Sequence, residues 1–284
     1  MFKQYYSMAK PGIIYGNIIT AAAGFLLASK GHIDFSHLIE VLIGISLVIG
    51  SACVFNNYID RDIDEVMART KNRSLVKGTV RKRNAILFAI TMGLIGFLVL
   101  YLFTNSLVIW IGLIAFIDYV AIYGYFKRRS VHGTLVGSIS GAAPIVAGYC
   151  AVSGRIDAAS IILFLIMAVW QMPHFYAIAM FRFDDYKAAK LPVLPVKSGM
   201  KNTKFQILLY IGAFVIATTM LRIYGYTGDF YLLTVLLVGF YWFFMAVKGK
   251  RARDDTVWAR KMFFFSLIVV MVFSVLISMN HWLS

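Results

Sequence analysis

The sequence predicts an all-α, polytopic membrane protein, with nine helical spans in a single domain over residues 1–284. Three observations predict it. The chain is 60% hydrophobic and only 14% charged, where soluble globular domains carry about 25% charged residues. Its apolar residues gather into runs long enough to cross a hydrocarbon core about 30 Å thick. Its Lys and Arg residues segregate to alternate connections.

The spans follow in order. Residues 11–29 hold no charge and begin with Pro11, a residue suited to a first helical position. No signal-cleavage pattern is evident there, so this run reads as a retained span. The second span, near 39–59, ends in Asn56 and Asn57. Residues 84–117 carry no charge at all. They divide at Thr104-Asn105-Ser106 into spans near 84–104 and 107–126. The fifth, near 134–152, follows Gly133 and carries Gly137 and Gly141 at four-residue spacing, a stripe that lets another helix approach and that reads as packing. The sixth, near 158–180, contains Pro173 and His174. The remaining three lie near 205–221, 230–247 and 262–282.

The net charge of +15 raises the question of a nucleic-acid partner, and its distribution answers it. With nine spans, alternate connections share a side. Of the 28 Lys and Arg residues, only Lys30, Arg155 and Arg222 fall on the opposite side. The excess charge therefore reports topology and contact with anionic lipid. It places the N-terminus in the cytoplasm, the C-terminus outside, and the partner surface in the bilayer, with no nucleic acid. Cys53 and Cys150 both lie inside apolar runs, which argues for small buried side chains over disulfides.

The most informative stretch is NNYIDRDIDEVMARTKNR, residues 56–73. If the helix continues through it, Asn56, Asp60 and Asp64 share one face. Carboxylates stacked that way repel, and a divalent cation removes the repulsion. Arg69 and Arg73 follow at once, as a diphosphate would require. A solvated helix edge is the bland alternative. The asparagines inside the span, the helical spacing and the arginines weigh against it. A second segment, DDYKAAKLPVLP, begins at Asp184-Asp185 and runs to Pro195. Its prolines end any helix and order a loop. Asp254-Asp255, in a loop crowded with Lys and Arg, reads as local charge balance. An acidic helix end followed two spans later by a basic loop occurs twice, an echo that positive-inside bias alone would also produce.

Two polar groups lie deeper. His174, beside Pro173, is an intramembrane ionisable residue and so a functional candidate. Asp118, in the fourth span, either pairs with a base or lines a cavity. The aromatic faces of Tyr119, Tyr123, Phe175 and Tyr176 are candidates for stabilising a cation, at about 0.5–2 kcal/mol each.

NNYIDRDID, RTKNR, YGYFKRRSVHGTLVGSISGAAP, WQMPHFYAIAMFRFDDYKAAKLPVLP and DDTVWARK together resemble the UbiA-type intramembrane prenyltransferases, specifically the branch that farnesylates haem. The resemblance runs from FKQY near the start to the last span. It implies a helical bundle around a central cavity open to the cytoplasmic side, in a bacterial inner membrane. It implies magnesium-dependent transfer of a farnesyl group from farnesyl diphosphate to a vinyl group of haem B, with addition of water. The haem O formed would supply haem–copper terminal oxidases, with haem-handling or oxidase-assembly proteins as further partners. Haem B is then a substrate, and magnesium the cofactor. The resemblance assigns Asn56, Asp60 and Asp64 to a first metal–diphosphate motif and Asp185 to a second, beside which Asp184 is a further candidate metal ligand. Arg69, Arg73, Lys127 and Arg128 match diphosphate-holding positions, and His174 a position facing haem. Where many such enzymes carry another aspartate four residues on, this chain has Ala188 and Ala189. The nearest rival is a relative acting on an aromatic quinone precursor. An anion transporter would explain the basic loops but not an asparagine–aspartate face ending in arginines.

Overall fold

The computed structural model describes residues 2–283, and every regular element among them is helical. A short helix, Phe2–Met8, precedes nine helices long and apolar enough to cross a membrane: Pro11–Ser29, Phe35–Ile59, Lys82–Phe103, Ser106–Phe126, Gly133–Ser153, Ala158–Phe181, Leu194–Ile223, Asp229–Arg251 and Asp255–Ser278.

The sequence expectation places every span, and its ends move for identifiable reasons. The second span begins at Phe35 because Asp34 accepts from His37 N and caps it. The seventh begins at Leu194, with Pro195 in its first turn, eleven residues earlier than the apolar run suggests, and is interrupted by Gly199 at φ 78°. The ninth starts at Asp255. Asp254 accepts from the amides of Thr256 and Val257, and Asp255 pairs with Lys204. What reads as charge balance in the sequence is thus a helix cap and a bridge between helices.

The sixth span is the hub, with 56% of its apolar window buried, against 17% for the third and fourth. The fifth, seventh and ninth spans pack against it, while the third leans on the second. Side chains such as Leu94, Ile216 and Leu237 point outward and stay exposed, as a lipid-facing rim requires.

The closest backbone approach joins the first and fifth spans. A Cβ at Gly24 would run into the Ile145 carbonyl, and one at Gly148 into the Ala21 carbonyl. The stripe read from the sequence does a different job. Gly133 meets the Lys127 backbone, Gly137 meets the Tyr123 ring and Gly141 meets the Gln171 amide. It seats the end of the fourth span and the sixth span against the fifth.

Two small apolar clusters fix the loops over one end of the bundle. Ile63 and Met67 pack with Leu191, flanked by Tyr186 and Val193. Leu75 and Val80 pack with Met8, Ala9, Val54, Ala85 and Ala89. The first cluster brings the two acidic segments together across more than a hundred residues of sequence.

Candidate functional site

The second span ends at Ile59, and Asp60 leaves helical geometry at φ −90°, ψ 13°. A short helix, Arg61–Val66, then resumes. The i to i+4 ladder survives the bend, since Asp60 N donates to Asn56 O (2.9 Å) and Asp64 N to Asp60 O (2.8 Å). Asn56, Asp60 and Asp64 therefore keep a common face. All three are buried, whereas Asp62 and Glu65 turn outward.

A ring of cations closes on that face. Lys127, at the end of the fourth span, pairs with Asp60. Arg73 Nη1 donates to Asp64 Oδ2 (2.5 Å) and to Asn57 Oδ1 (3.1 Å). Arg128 reaches Asp60 Oδ1 (3.3 Å), the Ile59 carbonyl (2.9 Å) and both oxygens of Asp62. Lys10 Nζ donates to Asn56 Oδ1 (2.9 Å) from the residue just before the first span. Its backbone is left-handed, at φ 55°. Asn57 Nδ2 donates to Met8 O (2.9 Å), and Thr70 Oγ1 to Asp64 O (3.0 Å). The loop after the motif is thereby tied to the N-terminal segment and to the motif itself.

The electrostatics follow from this crowding. Burial lowers Lys10 to about 8; nearby Cys53 and Asp60 pull it back up, while Arg73 and Lys127 push it further down. Burial also lowers Lys127, with Asp60 opposing. Arg128 holds Asp62 down to about 2. Tyr186 is raised, first by burial. Arg69 and Arg182 act against that and Asp185 adds to it, so these are the charges around its hydroxyl.

The structure brings Asn56, Asp60, Asp64, Arg73, Lys127 and Arg128 into one cluster. It adds Lys10, which sequence reasoning missed, and Asn57, which the sequence marks only as a polar residue inside the span; Tyr186 lies on the facing loop beside Arg69, Asp185 and Arg182. The second acidic segment meets the first through the loop that follows Asp64. Asp185 Oδ1 accepts from Ala68 N (2.9 Å) and clips the loop that follows Asp64. The Asp184 side chain takes no part in the hydrogen bonds or ion pairs among the described residues. Arg69 is near Tyr186, not in the Asp60 ring.

Oxygen donors on a buried face suit magnesium, which takes one or two carboxylates and fills its shell with phosphate and water. Among the described residues no three carboxylate, histidine or cysteine side chains converge on one point, so phosphate and water would have to supply the remaining ligands. Asn56 Nδ2 is buried without a hydrogen-bond partner. That donor awaits an acceptor at the heart of the cluster, as a diphosphate oxygen would be. The residues present fit the metal–diphosphate pair.

Above the cluster, Tyr119 and Tyr123 stack at 5.6 Å, with Lys127 Nζ 5.1 Å from the Tyr123 ring. Asp118 opens a π-helical turn, Asp118–Ile122, and accepts from Ser140 N (3.2 Å). Of the two readings, pairing with a base is not what it does. His174 lies about 10 Å of helical rise from the span's end at Phe181 and takes no part in the Asp60 ring. Its Nδ1 is 2.7 Å from Ser266 Oγ. Tyr176 is buried against Tyr210, and Phe175 is exposed. A cleft of about 520 Å³ opens beside the ring, lined by Ile59, Arg61, Asp62, Gly124 and Arg128 among others.

The family model described as "UbiA prenyltransferase family" matches residues 17–268. The chain is 53% identical to a protoheme IX farnesyltransferase of Yersinia enterocolitica, over 99% of this chain and 95% of that one. It is 52% identical to one of Klebsiella pneumoniae at the same coverage. Among solved structures, a digeranylgeranylglyceryl phosphate synthase superposes with TM-score 0.80 at 19% identity, over 99% of this chain and 98% of that one. A UbiA homologue of Archaeoglobus fulgidus bound to GPP and Mg2+ superposes with TM-score 0.74 at 16% identity, over 97% and 99%.

Proposed function

The chain belongs to the UbiA prenyltransferase family, and from that premise we propose that it farnesylates haem B, using farnesyl diphosphate and magnesium, to make haem O. The observation that carries the diphosphate half is the buried Asn56–Asp60–Asp64 face ringed by Lys10, Arg73, Lys127 and Arg128. The haem half is supported by identity above one half to protoheme IX farnesyltransferases over nearly the whole chain.

The reaction breaks the C1–O bond of the allylic diphosphate, and the electron pair leaves with diphosphate. The vinyl group of haem supplies the electrons of the new C–C bond. Water takes up the cation left on the porphyrin side chain and loses a proton to solvent. No serine or cysteine nucleophile is required.

Asn56, Asp60 and Asp64 would hold magnesium, with Asp184 and Asp185 on the facing loop. When bound, the ion neutralises charge building on the leaving group. Arg73, Lys127 and Arg128 are engaged with carboxylates here. With diphosphate bound, Arg73, Lys127 and Arg128 would turn to its oxygens and Asp60 and Asp64 would be free to hold the metal, so no buried charge would be left alone. Lys10 and Asn56 Nδ2 donate to the same oxygens. Tyr119 and Tyr123 present ring faces above the cluster, where the allylic cation forms. The surrounding apolar bundle keeps water from quenching it early.

The Lys and Arg asymmetry supports a cytoplasmic position for this end of the bundle, with the N-terminus on the same side. Purified protein incubated with haem B, farnesyl diphosphate and magnesium should yield a porphyrin whose mass has gained one farnesyl group and one hydroxyl group. Unaltered haem from active, folded wild-type protein overturns the reading.

A further inference from the structure

Resting on the haem reading, and deepening it, we infer that Ser266 is a positioning residue that fixes the tautomer of His174 and leaves Nε2 as a lone pair for the haem iron. Ser266 Oγ lies 2.6 Å from the Phe263 carbonyl and 2.7 Å from His174 Nδ1. A hydroxyl has one proton. The carbonyl can only accept, so the proton points to Phe263. The oxygen must then accept from His174, and Nδ1 carries the hydrogen.

The same geometry argues against an imidazolium. A charged ring would need an acceptor at both nitrogens, and Nε2 hydrogen-bonds nothing among the described residues. Among the described residues no carboxylate pairs with the ring to offset a buried charge. Nε2 is also not sealed in. The buried, partnerless polar side-chain atoms are Asn56 Nδ2, Arg61 Nη1, Thr227 Oγ1, Trp242 Nε1 and Ser274 Oγ, and Nε2 is not one of them. A neutral imidazole with an open Nε2 and a hydrogen-bonded Nδ1–H is the form in which histidine binds a metal, its ring aimed by the group behind it.

The ring plane is fixed as well. Trp170 stacks on it at 4.9 Å and 24°, and Phe263 lies 5.0 Å away. Trp170 Nε1 donates to the Ser266 carbonyl (2.9 Å). Ser266 is wholly buried and thereby gathers the sixth and ninth spans around the imidazole.

The test uses full-length protein in lipid nanodiscs with ferrous haem B and no prenyl donor. Resonance Raman reads the iron–imidazole stretch, and titration reads haem affinity. Wild type should show the band. His174→Ala should lose it, and added imidazole should restore it. Ser266→Ala should keep the band at lower frequency, because the imidazole loses the acceptor that lends it basicity, and should bind haem about tenfold more weakly. Ser266→Thr, which keeps the hydroxyl, should recover both. If Ser266→Ala does not fold, Ser266→Cys, a poorer acceptor, must show the downward shift. A wild-type band and affinity in the folded Ala or Cys variant overturns the inference, as does a wild type with no histidine band. Farnesyl transfer by wild type is measured separately. Haem O formation without a band sinks the role of Ser266 alone, whereas a band without any product sinks the proposed reaction.

Discussion

Lys10 Nζ donates to Asn56 Oδ1 across 2.9 Å, so the residue before the first span is anchored on the acidic face at the end of the second. Its ammonium is buried and lowered to about 8, chiefly by that burial.

The first prediction is a pH profile. Lys10 carries its charge below about pH 8 and loses it above. The rate of diphosphate release at saturating magnesium should therefore fall as pH rises through that value. Lys10→Met should cost about 1.5–3 kcal/mol of transition-state stabilisation, the worth of one charged hydrogen bond, and should remove that limb. Stability should move the opposite way. The unfolded chain keeps its proton up to the ordinary 10.5, so it binds more protons than the folded chain between about 8 and 10.5, and stability rises with pH there. An unaltered alkaline limb in Lys10→Met would remove Lys10 from the site.

The second prediction concerns the pair Asp60–Lys127, whose side chains are almost fully enclosed. Removing Asp60 strands Lys127, at about 3–5 kcal/mol, whereas without Lys127 the Asp60 carboxylate keeps Arg128 at 3.3 Å and the loss is smaller. Asp60→Asn and Lys127→Met should each lower the unfolding temperature in detergent and abolish turnover. The double variant should be less destabilised than the two losses combined, with coupling of about 0.5–3 kcal/mol. Strict additivity would mean the pair is not coupled.

The nine spans were legible because length and apolarity alone decide what crosses a bilayer. Asn56, Asp60 and Asp64 were legible because helical spacing survives the bend at Asp60. Lys10 and Tyr186 were not. Each reaches the site through tertiary contacts, Lys10 from just before the first span and Tyr186 by way of the Ile63–Met67–Leu191 cluster, and no local pattern announces them. Asp185 is legible as an acidic residue of the second segment, but its bond to Ala68 N is not, since that bond depends on a loop-to-loop approach that spacing does not encode. Gly24 and Gly148 escaped notice because their partners are backbone carbonyls on another helix, whereas the regular glycine stripe drew the eye.

The third prediction follows from those two glycines. Gly148→Ala puts a methyl group into the Ala21 carbonyl, and backbone on the far side cannot move aside as a flexible side chain would. Overpacking of this kind costs about 1–3 kcal/mol. Thermal unfolding of Gly148→Ala should show that loss, while Gly12→Ala, which faces open space, should unfold like the parent. Equal stability of the two variants would show that the first and fifth spans pack more loosely than this.

The fourth prediction separates two roles of Asp185. Its Oδ1 accepts from Ala68 N at 2.9 Å, a bond that an amide oxygen can also accept. Its negative charge also faces the diphosphate-binding end of the bundle, where Arg69 and Arg182 surround the neighbouring Tyr186. Asp185→Asn keeps the acceptor and loses the charge; Asp185→Ala loses both. Hydrogen exchange at Ala68 and proteolysis between residues 67 and 81 should stay slow in Asp185→Asn and quicken in Asp185→Ala, since a hydrogen bond to a charged group is worth about 1.5–3 kcal/mol. Turnover should fall in both variants, because the amide is a poorer magnesium ligand than the carboxylate. Full turnover in Asp185→Asn would leave the residue as a loop clip only and confine the metal to the Asn56–Asp60–Asp64 face.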